Sequence, residues 1–299
     1  MATATTTART RGAGARPGSR RSWGWIGLVP FLVFTTAFLL LPMAFLVAGS
    51  FRDNAGQATL ANYAELTTPS NINLFASTIE ISLVSALAGG ILGLLLAYAV
   101  IAGGLPAPLR DVVMTFSGVA SNFAGVPLAL AFIFTLGNNG LMTKLIADTF
   151  GITLRQIGFN IYTKFGVELV YVYFQLPLMV LIIAPAIDGL RREWREAAEN
   201  MGASSSQYWR MVALPILLPS ILGAMILLFA NAFGAFATAY QLTGGVIPIV
   251  AVQIGAQISG DVLQNQGLGY ALAMGMVVVI GVAILLYVVL QRRAERWRR

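Results

Sequence analysis

The most regular feature of the sequence is a series of six long apolar segments separated by polar stretches. Each has the length, about 20 residues, that an α-helix needs to cross the hydrocarbon core of a bilayer. The pattern therefore predicts an all-α membrane protein with six transmembrane helices. The predicted spans are residues 25–47, 79–101, 112–136, 167–186, 216–240 and 270–290.

Prolines and glycines interrupt some of these segments. Pro30 and Pro42 lie in the first, Pro127 and several glycines lie in the third, and the fourth ends near Pro185. Proline removes a backbone donor from a helix, and the freed groups then need neighbouring helices or a cavity. We therefore expect kinks or breaks in the first and third spans.

The basic residues divide unequally between the two sides of the predicted bundle. With six spans, one side holds both termini and the loops after the second and fourth spans. That side carries fifteen of the nineteen Lys and Arg residues, and the other carries four. The positive-inside rule places both termini and these two loops in the cytoplasm, with the protein in the plasma (inner) membrane. The net charge of +7 is thus explained by the basic residues that set the membrane orientation, and it does not indicate nucleic-acid binding.

The domain organisation follows from this arrangement. Residues 1–22 consist of Ala, Thr, Gly, Ser, Pro and Arg after the initial Met, which predicts a disordered basic cytoplasmic tail. Residues 23–299 form one transmembrane domain. The polar segments 54–73 and 138–164 are external loops, and a short helix is predicted over 141–150. Segment 243–267 predicts a further short helix or a re-entrant piece.

The composition argues against an enzyme. Only 10% of the residues are charged, and there is no Cys or His, so thiolate and imidazole metal sites are excluded. No G-x-x-x-x-G-K-[ST] phosphate loop, paired carboxylates or Ser-His-Asp set is present, so no ATPase site, catalytic residue, metal or cofactor is predicted. A secondary transporter would need internal repeats and a mid-span ion site, which the sequence lacks. A secondary transporter without these features, or a channel, is the alternative of another functional class.

The most informative motif lies in the loop between the fourth and fifth spans. Glu196-Ala197-Ala198 is followed by Gly202, and nine residues later by Val212-Ala213-Leu214-Pro215. Glu, Ala, Arg and Met favour a helix before Gly202, and Gly permits the turn that ends it. A serine at 204, 205 or 206 can cap a second short helix. Residues 188–215 are therefore predicted to form two helices joined by a turn.

This motif resembles the cytoplasmic loop of the permease subunits of binding-protein-dependent ABC importers, with the type I (MetI-like) fold. The resemblance covers residues 75–290, and Val212 stands where Ile is frequent. It implies a core of five helices flanked by a first helix, and a loop that docks on a pair of cytoplasmic ATPases, which bind the ATP. It also implies a second permease subunit, identical or similar, and an external solute-binding protein. The implied coupling residues are Glu196, Ala197, Ala198, Gly202, Leu214 and Pro215.

Polar side chains near or within the spans are candidates for a translocation path. Each is costly in lipid and normally faces a protein interior or a pathway. Hydrogen bonding between helices is the alternative interpretation for each of them. The candidates are Glu80 and Glu168 at external span ends, Gln175 and Asn231 within spans, and Tyr240 at a span end.

The substrate is less well specified. The chain is similar in general character to the polyamine, ferric-iron, thiamine and phosphonate permeases. Glu80, Glu168 and the aromatic residues favour a small cation such as spermidine or putrescine, through carboxylate and cation–π attraction. A permease of the same class for phosphonate, ferric iron, thiamine or another anion is the alternative.

The charge asymmetry gives a direct test of topology. A single Cys placed at Asn139 should react with a membrane-impermeant thiol reagent in intact cells, whereas a Cys at Ser205 should react only after lysis. The natural chain has no Cys to interfere. Labelling of position 205 but not 139 in intact cells would reverse the predicted orientation.

Overall fold

The computed structural model describes residues 27–53, 55–259 and 265–296, and every regular element in those ranges is a helix. Residues 1–22, predicted to be a disordered tail, lie outside the described ranges. The helices are α1 (Val29–Ser50), α2 (Ala61–Leu66), α3 (Pro69–Ile101), α4 (Ala107–Asn122), α5 (Gly125–Leu136), α6 (Leu141–Phe150), α7 (Lys164–Asp188), α8 (Arg192–Asn200), α9 (Ser205–Phe233), α10 (Phe236–Thr243), α11 (Val250–Ser259) and α12 (Gln266–Arg296).

Within the described residues, six helical stretches are long and apolar enough to cross a membrane, which confirms the predicted number. They are α1, α3, α5 with α6, α7, α9 and α12. The second begins ten residues before the predicted start, so that residues 69–73 are helical and not part of a loop. The short helix predicted over 141–150 is confirmed as α6.

The chain divides into two compact units, Met1–Phe45 and Leu46–Arg299. In the first unit, the interruption expected in the first span is a π-helical turn, Thr36–Leu40, and not a break. Leu41 N–H donates to the Thr36 carbonyl, five residues back, and Pro42 follows immediately. The wider turn lets the helix continue although Pro42 has no N–H to donate.

The third and fifth predicted spans are each divided in two. The predicted segment 112–136 consists of α4 and α5, which are separated by Phe123 and Ala124; Gly125 follows with φ +72°. The predicted segment 216–240 ends as a helix at Phe233, and its last residues belong to α10. The break expected in the third span is confirmed. The continuous fifth span was wrong at its end, because hydropathy measures apolar length and does not detect where the backbone turns.

The two interruptions lie against each other, and side chains satisfy their backbone groups. Thr238 Oγ1 accepts a hydrogen bond from Gly125 N at 2.9 Å, so α10 holds the start of α5. Tyr171 donates its hydroxyl to the Ala235 carbonyl at 2.7 Å, so α7 holds the turn between α9 and α10. Non-helical backbone at membrane depth is tolerated only with such partners.

The centre of the second unit is the contact between α3 and α7. Gly89 and Gly93 of α3 face Gln175, Leu176 and Met179 of α7 with no side chain between the backbones. Small residues allow helices in a membrane to approach this closely. A Cβ added at Gly93 would lie 2.5 Å from the Leu176 carbonyl oxygen and 2.6 Å from Met179 Cβ.

Gly93 therefore offers a test of this packing. Gly93→Ala should lower the free energy of unfolding by about 1–3 kcal/mol, because the added methyl must push two helices apart. Gly118→Ala, in α4, is the control, since its Cβ would meet nothing within 4 Å and Ala favours a helix. Thermal unfolding of the two variants in detergent micelles checks this, and equal midpoints would contradict it.

Candidate functional site

The loop that carries the sequence motif folds as predicted, into two helices around a turn. The first helix, α8, ends at Asn200, and Gly202 has φ +78°, a conformation that residues with a Cβ rarely adopt. Ala203 N–H closes the turn by donating to the Ala198 carbonyl at 3.0 Å. A Cβ at Gly202 would meet nothing within 4 Å, so the glycine is required by the backbone and not by crowding.

Ser204 is the residue that caps the second helix. Its side chain accepts from Gln207 N at 3.3 Å, and the Gln207 side chain accepts from Ser204 N at 2.7 Å. This reciprocal capping box satisfies two backbone donors at the start of α9. The sequence left Ser204, Ser205 and Ser206 as candidate caps. Gln207, three residues after Ser204, distinguishes Ser204 from the other two, because it completes a capping box.

The second helix runs into the fifth span without a break. It contains a π turn, Trp209–Ala213, in which Leu214 N–H donates to the Trp209 carbonyl. Pro215 follows, as Pro42 follows the π turn in α1. Leu214 and Pro215 thus lie on one continuous helix that joins the loop to the membrane.

The two alanines of the motif have different surroundings. Ala198 is buried against Tyr208 and Ala213, where it packs the two loop helices together. Ala197 is exposed. Of the two, only Ala197 presents its small side chain outward, because the helix turns Ala198 inward; a role of either residue in coupling stays a prediction.

The exposed surface of the loop is both charged and apolar. Glu196 pairs with Arg192 and Glu199 pairs with Arg195, each at 2.9 Å, between exposed side chains. The hydrogen bond to Glu199 raises the pKa of Arg195 above its ordinary value, so this guanidinium stays charged. Exposed pairs of this kind contribute little to stability and can be exchanged for a partner's groups.

The loop also has two exposed methionines that the sequence analysis did not identify as candidate contacts. Met201 is 82% exposed beside Gly202, and Met211 is 71% exposed in the π turn. Exposed Met side chains are adaptable apolar contacts and are frequent at binding surfaces. The occurrence of two methionines in an otherwise polar loop is the sequence feature that could have indicated these contacts.

The loop is fastened to the membrane helices at two points. The Trp209 ring packs edge-on against Tyr98 near the end of α3, with ring centroids 4.6 Å apart. Arg110 of α4 forms an ion pair with Asp188, the last residue of α7, at 2.5 Å. The loop thus contacts α3 through Trp209, and the Arg110–Asp188 pair joins α4 to the end of α7, where the loop begins.

The predicted path residues occupy three different environments. Gln175 is fully buried; in the orientation that satisfies both ends of its amide, its oxygen accepts from Ser85 Oγ at 2.8 Å and its nitrogen donates to Leu228 O at 3.2 Å. This arrangement links α3, α7 and α9 and matches the alternative of hydrogen bonding between helices. A pathway role for Gln175 stays a prediction.

Glu80 and Glu168 are brought together with a cation. Lys164, at the start of α7, forms an ion pair with Glu80 of α3, and Glu168 lies one turn further along α7, within reach of both charges. Glu80 is therefore paired with a cation, and a pathway role for Glu80 and Glu168 stays a prediction. In the sequence analysis, Lys164 entered only as one of the basic residues that predict the membrane orientation.

Asn231 and Tyr240 lie on the exposed surface around the two helix interruptions. Asn231 is exposed near the end of α9, and Tyr240 is 51% exposed on α10, stacked with Phe236 at 5.5 Å. Asn122, at the end of α4, is exposed at the other interruption. Among the residues that the structure describes, no group of three or more Asp, Glu, Cys or His could hold a metal ion.

Residues 89–296, which include the loop and five of the six candidate spans in whole or in part, match the family described as the binding-protein-dependent transport system inner membrane component. The chain belongs to this family. It is therefore the permease subunit of an ABC importer and a multi-pass inner-membrane protein.

Two similar permease proteins support the same assignment. The chain is 28% identical over 217 residues to the sulfate transport system permease protein CysT of Salmonella typhimurium, covering 72% of this chain and 73% of that protein. It is 26% identical over 259 residues to the spermidine/putrescine transport system permease protein PotB of Haemophilus influenzae, covering 86% and 88%.

Solved structures confirm the fold. A bacterial ABC transporter involved in the import of the acidic polysaccharide alginate is similar with a TM-score of 0.68 at 18% identity, over 90% of this chain and 94% of that chain. The methionine ABC transporter MetNI is similar with a TM-score of 0.53 at 19% identity, over 75% and 95%. The permease thus has the predicted type I, MetI-like fold.

Proposed function

We propose that residues 191–215 couple ATP hydrolysis on separate cytoplasmic subunits to movement of the membrane helices. The observation that carries the proposal is the shape of this loop: two short helices set by Gly202, an exposed face with Glu196, Ala197 and Met201, and a continuous helix through Pro215 into the fifth span. Charge-assisted hydrogen bonds from Glu196 and apolar contacts of the methionines suit a groove on a folded partner.

The permease then works as one part of a larger importer. A pair of ATPases binds the ATP, and this chain holds no nucleotide or other cofactor of its own. A second permease subunit, a copy of this chain or a similar one, completes the pathway, and an external solute-binding protein delivers the substrate. Both termini and the loop lie in the cytoplasm, as supported by the distribution of Lys and Arg.

The pathway runs beside the two interrupted helices. Asn231, Tyr240 and Asn122 supply amide and aromatic groups to an exposed surface that a second permease subunit would face. Turns in membrane helices occur where the backbone is enclosed by protein or lines a water-filled cavity. Glu80 and Glu168 lie at the external ends of their helices, where a solute would first meet the chain.

The coupling proposal predicts the effect of two substitutions. Glu196→Lys and Gly202→Asp should both reduce transport to background and weaken copurification of the ATPase by about tenfold or more, because a misplaced charge in an interface costs several kcal/mol. Gly202→Asp also strains the backbone, since φ is +78° there. ATPase copurification and uptake are measured together.

Asp148→Lys is the control for these variants. It reverses an acidic charge, as Glu196→Lys does, but on α6, where Asp148 is exposed and far from the loop in sequence. It should leave transport and ATPase copurification unchanged. Immunoblots of membrane fractions check that all three proteins insert at equal levels. Normal transport by both loop variants would refute the coupling role.

For the substrate, we propose a small cation such as a polyamine. Lys164 neutralises one of the two external carboxylates and leaves a net negative charge at that end. The stacked, exposed rings of Phe236 and Tyr240 offer a face for cation–π contact. The alternative is an oxyanion such as sulfate, or another of the anions or small solutes carried by this class of importer, and the similarity to CysT favours sulfate among them.

Uptake assays separate these substrates. The complete importer, expressed in cells that lack their own polyamine and sulfate importers, should restore uptake of labelled spermidine. Tyr240→Leu should lower its apparent affinity about two- to fivefold, the value of one cation–π contact, whereas Tyr240→Phe keeps the ring and should not. Restored sulfate uptake without spermidine uptake would identify the anion instead.

A further inference from the structure

Two cavities lie side by side where the loop meets the membrane helices. The first, of about 270 Å³, is lined only by apolar and aromatic residues, among them Leu94, Leu95, Leu217 and Ile221. The second, of about 430 Å³, is lined by the ends of α3 and α7 and by the arginines at the start of α8. They share the walls formed by Tyr98, Ile187 and Trp209.

The second cavity carries an excess of positive charge. Arg191, Arg192 and Arg195 line it, against the single carboxylate of Asp188, which is already paired with Arg110. Arg192 and Arg195 share their charge with the glutamates one turn along α8.

Arg191 differs from its two neighbours. Its guanidinium lies 5.9 Å from the centre of the Trp194 ring, and it has no carboxylate partner among the described residues. It is therefore the cation most available to an added anion.

The pairing of the two cavities calls for an amphipathic ligand. A soluble anion would use the arginines but would leave the apolar cavity beside them empty, and an apolar ligand would leave the arginines unused. In the orientation proposed above, the apolar cavity lies at the depth of the inner-leaflet acyl chains and the arginines lie at its headgroups. Basic pockets between membrane helices on the cytoplasmic side bind anionic lipid headgroups.

We propose that this double cavity is a binding site for an anionic phospholipid of the inner leaflet. One acyl chain occupies the apolar cavity between Leu95 and Ile221, and the phosphate contacts Arg191, with Arg195 beside it. The inference rests on the proposed orientation of the loop. Because Trp209 and the arginines belong to the two helices of the coupling loop, a bound lipid would brace the loop against α3.

Lipid binding can be measured directly on the full-length permease purified with its partner subunits. Native mass spectrometry during titration with phosphatidylglycerol, and separately with phosphatidylcholine of the same acyl chains, should show a preference for phosphatidylglycerol. Glycerol 3-phosphate should not displace the lipid, since it lacks the chains. Full displacement by glycerol 3-phosphate would identify a site for soluble anions and overturn the proposal.

Four variants locate the site. Arg191→Gln should weaken phosphatidylglycerol binding about fivefold, the effect of one basic residue at a membrane surface. Arg210→Gln is its control, because it removes the same charge from the same loop but does not line the cavity. Leu95→Trp should weaken binding by filling the apolar cavity, whereas Ile91→Trp, one turn away on the same exposed side of α3, should not.

The outcomes are separable from those for coupling, because lipid binding is measured without transport or ATP. Equal binding of the two lipids, or equal losses in Arg191→Gln and Arg210→Gln, would overturn the site. Unchanged binding in Leu95→Trp would do the same. If a helix of a second permease copy fills the apolar cavity in the assembled importer, no phosphatidylglycerol is retained, and the proposal fails.

Discussion

The close contact between α3 and α7 is the interaction on which the rest of the structure depends. Lipid is as apolar as leucine, so membrane helices associate through tight packing and hydrogen bonds, not through removal of apolar surface from water. Gly89 and Gly93 provide the approach, and Gln175, enclosed between Ser85 and Leu228, fixes the third helix against the pair. A buried amide is costly without partners, so only one arrangement of the three helices satisfies it.

The interrupted helices are arranged around this fixed centre. The turn between α4 and α5 is held by Thr238, and the turn between α9 and α10 is held by Tyr171 of α7. Each hydrogen bond joins residues that are far apart in sequence, so neither turn is stable without the other helices. The exposed polar surface that they form is consequently a product of the whole bundle and not of any single span.

Sequence reasoning reached the number of spans, the helix–turn–helix form of the loop and the family, because apolar length, helix propensity, capping and glycine positions are local properties. It anticipated a break in the third span from Pro127 and the glycines, but it missed the division of the fifth, since the partner that satisfies Ala235 comes from another helix. It could not reveal the surroundings of Ala198 and Glu80. Which way Ala198 faces depends on the packing of Tyr208, and the Glu80–Lys164 pair depends on the approach of α7 to α3.

The π turn at Trp209–Ala213 sets the rotation of the loop relative to the fifth span. A π turn holds one residue more than a turn of α-helix, and each residue of an α-helix corresponds to about 100° of rotation. Deletion of one residue there would leave the apolar span intact but rotate everything before it by that angle, carrying the loop away from Tyr98. The π turn before Leu214 and Pro215 therefore fixes the angular register between the fifth span and the surface of the loop.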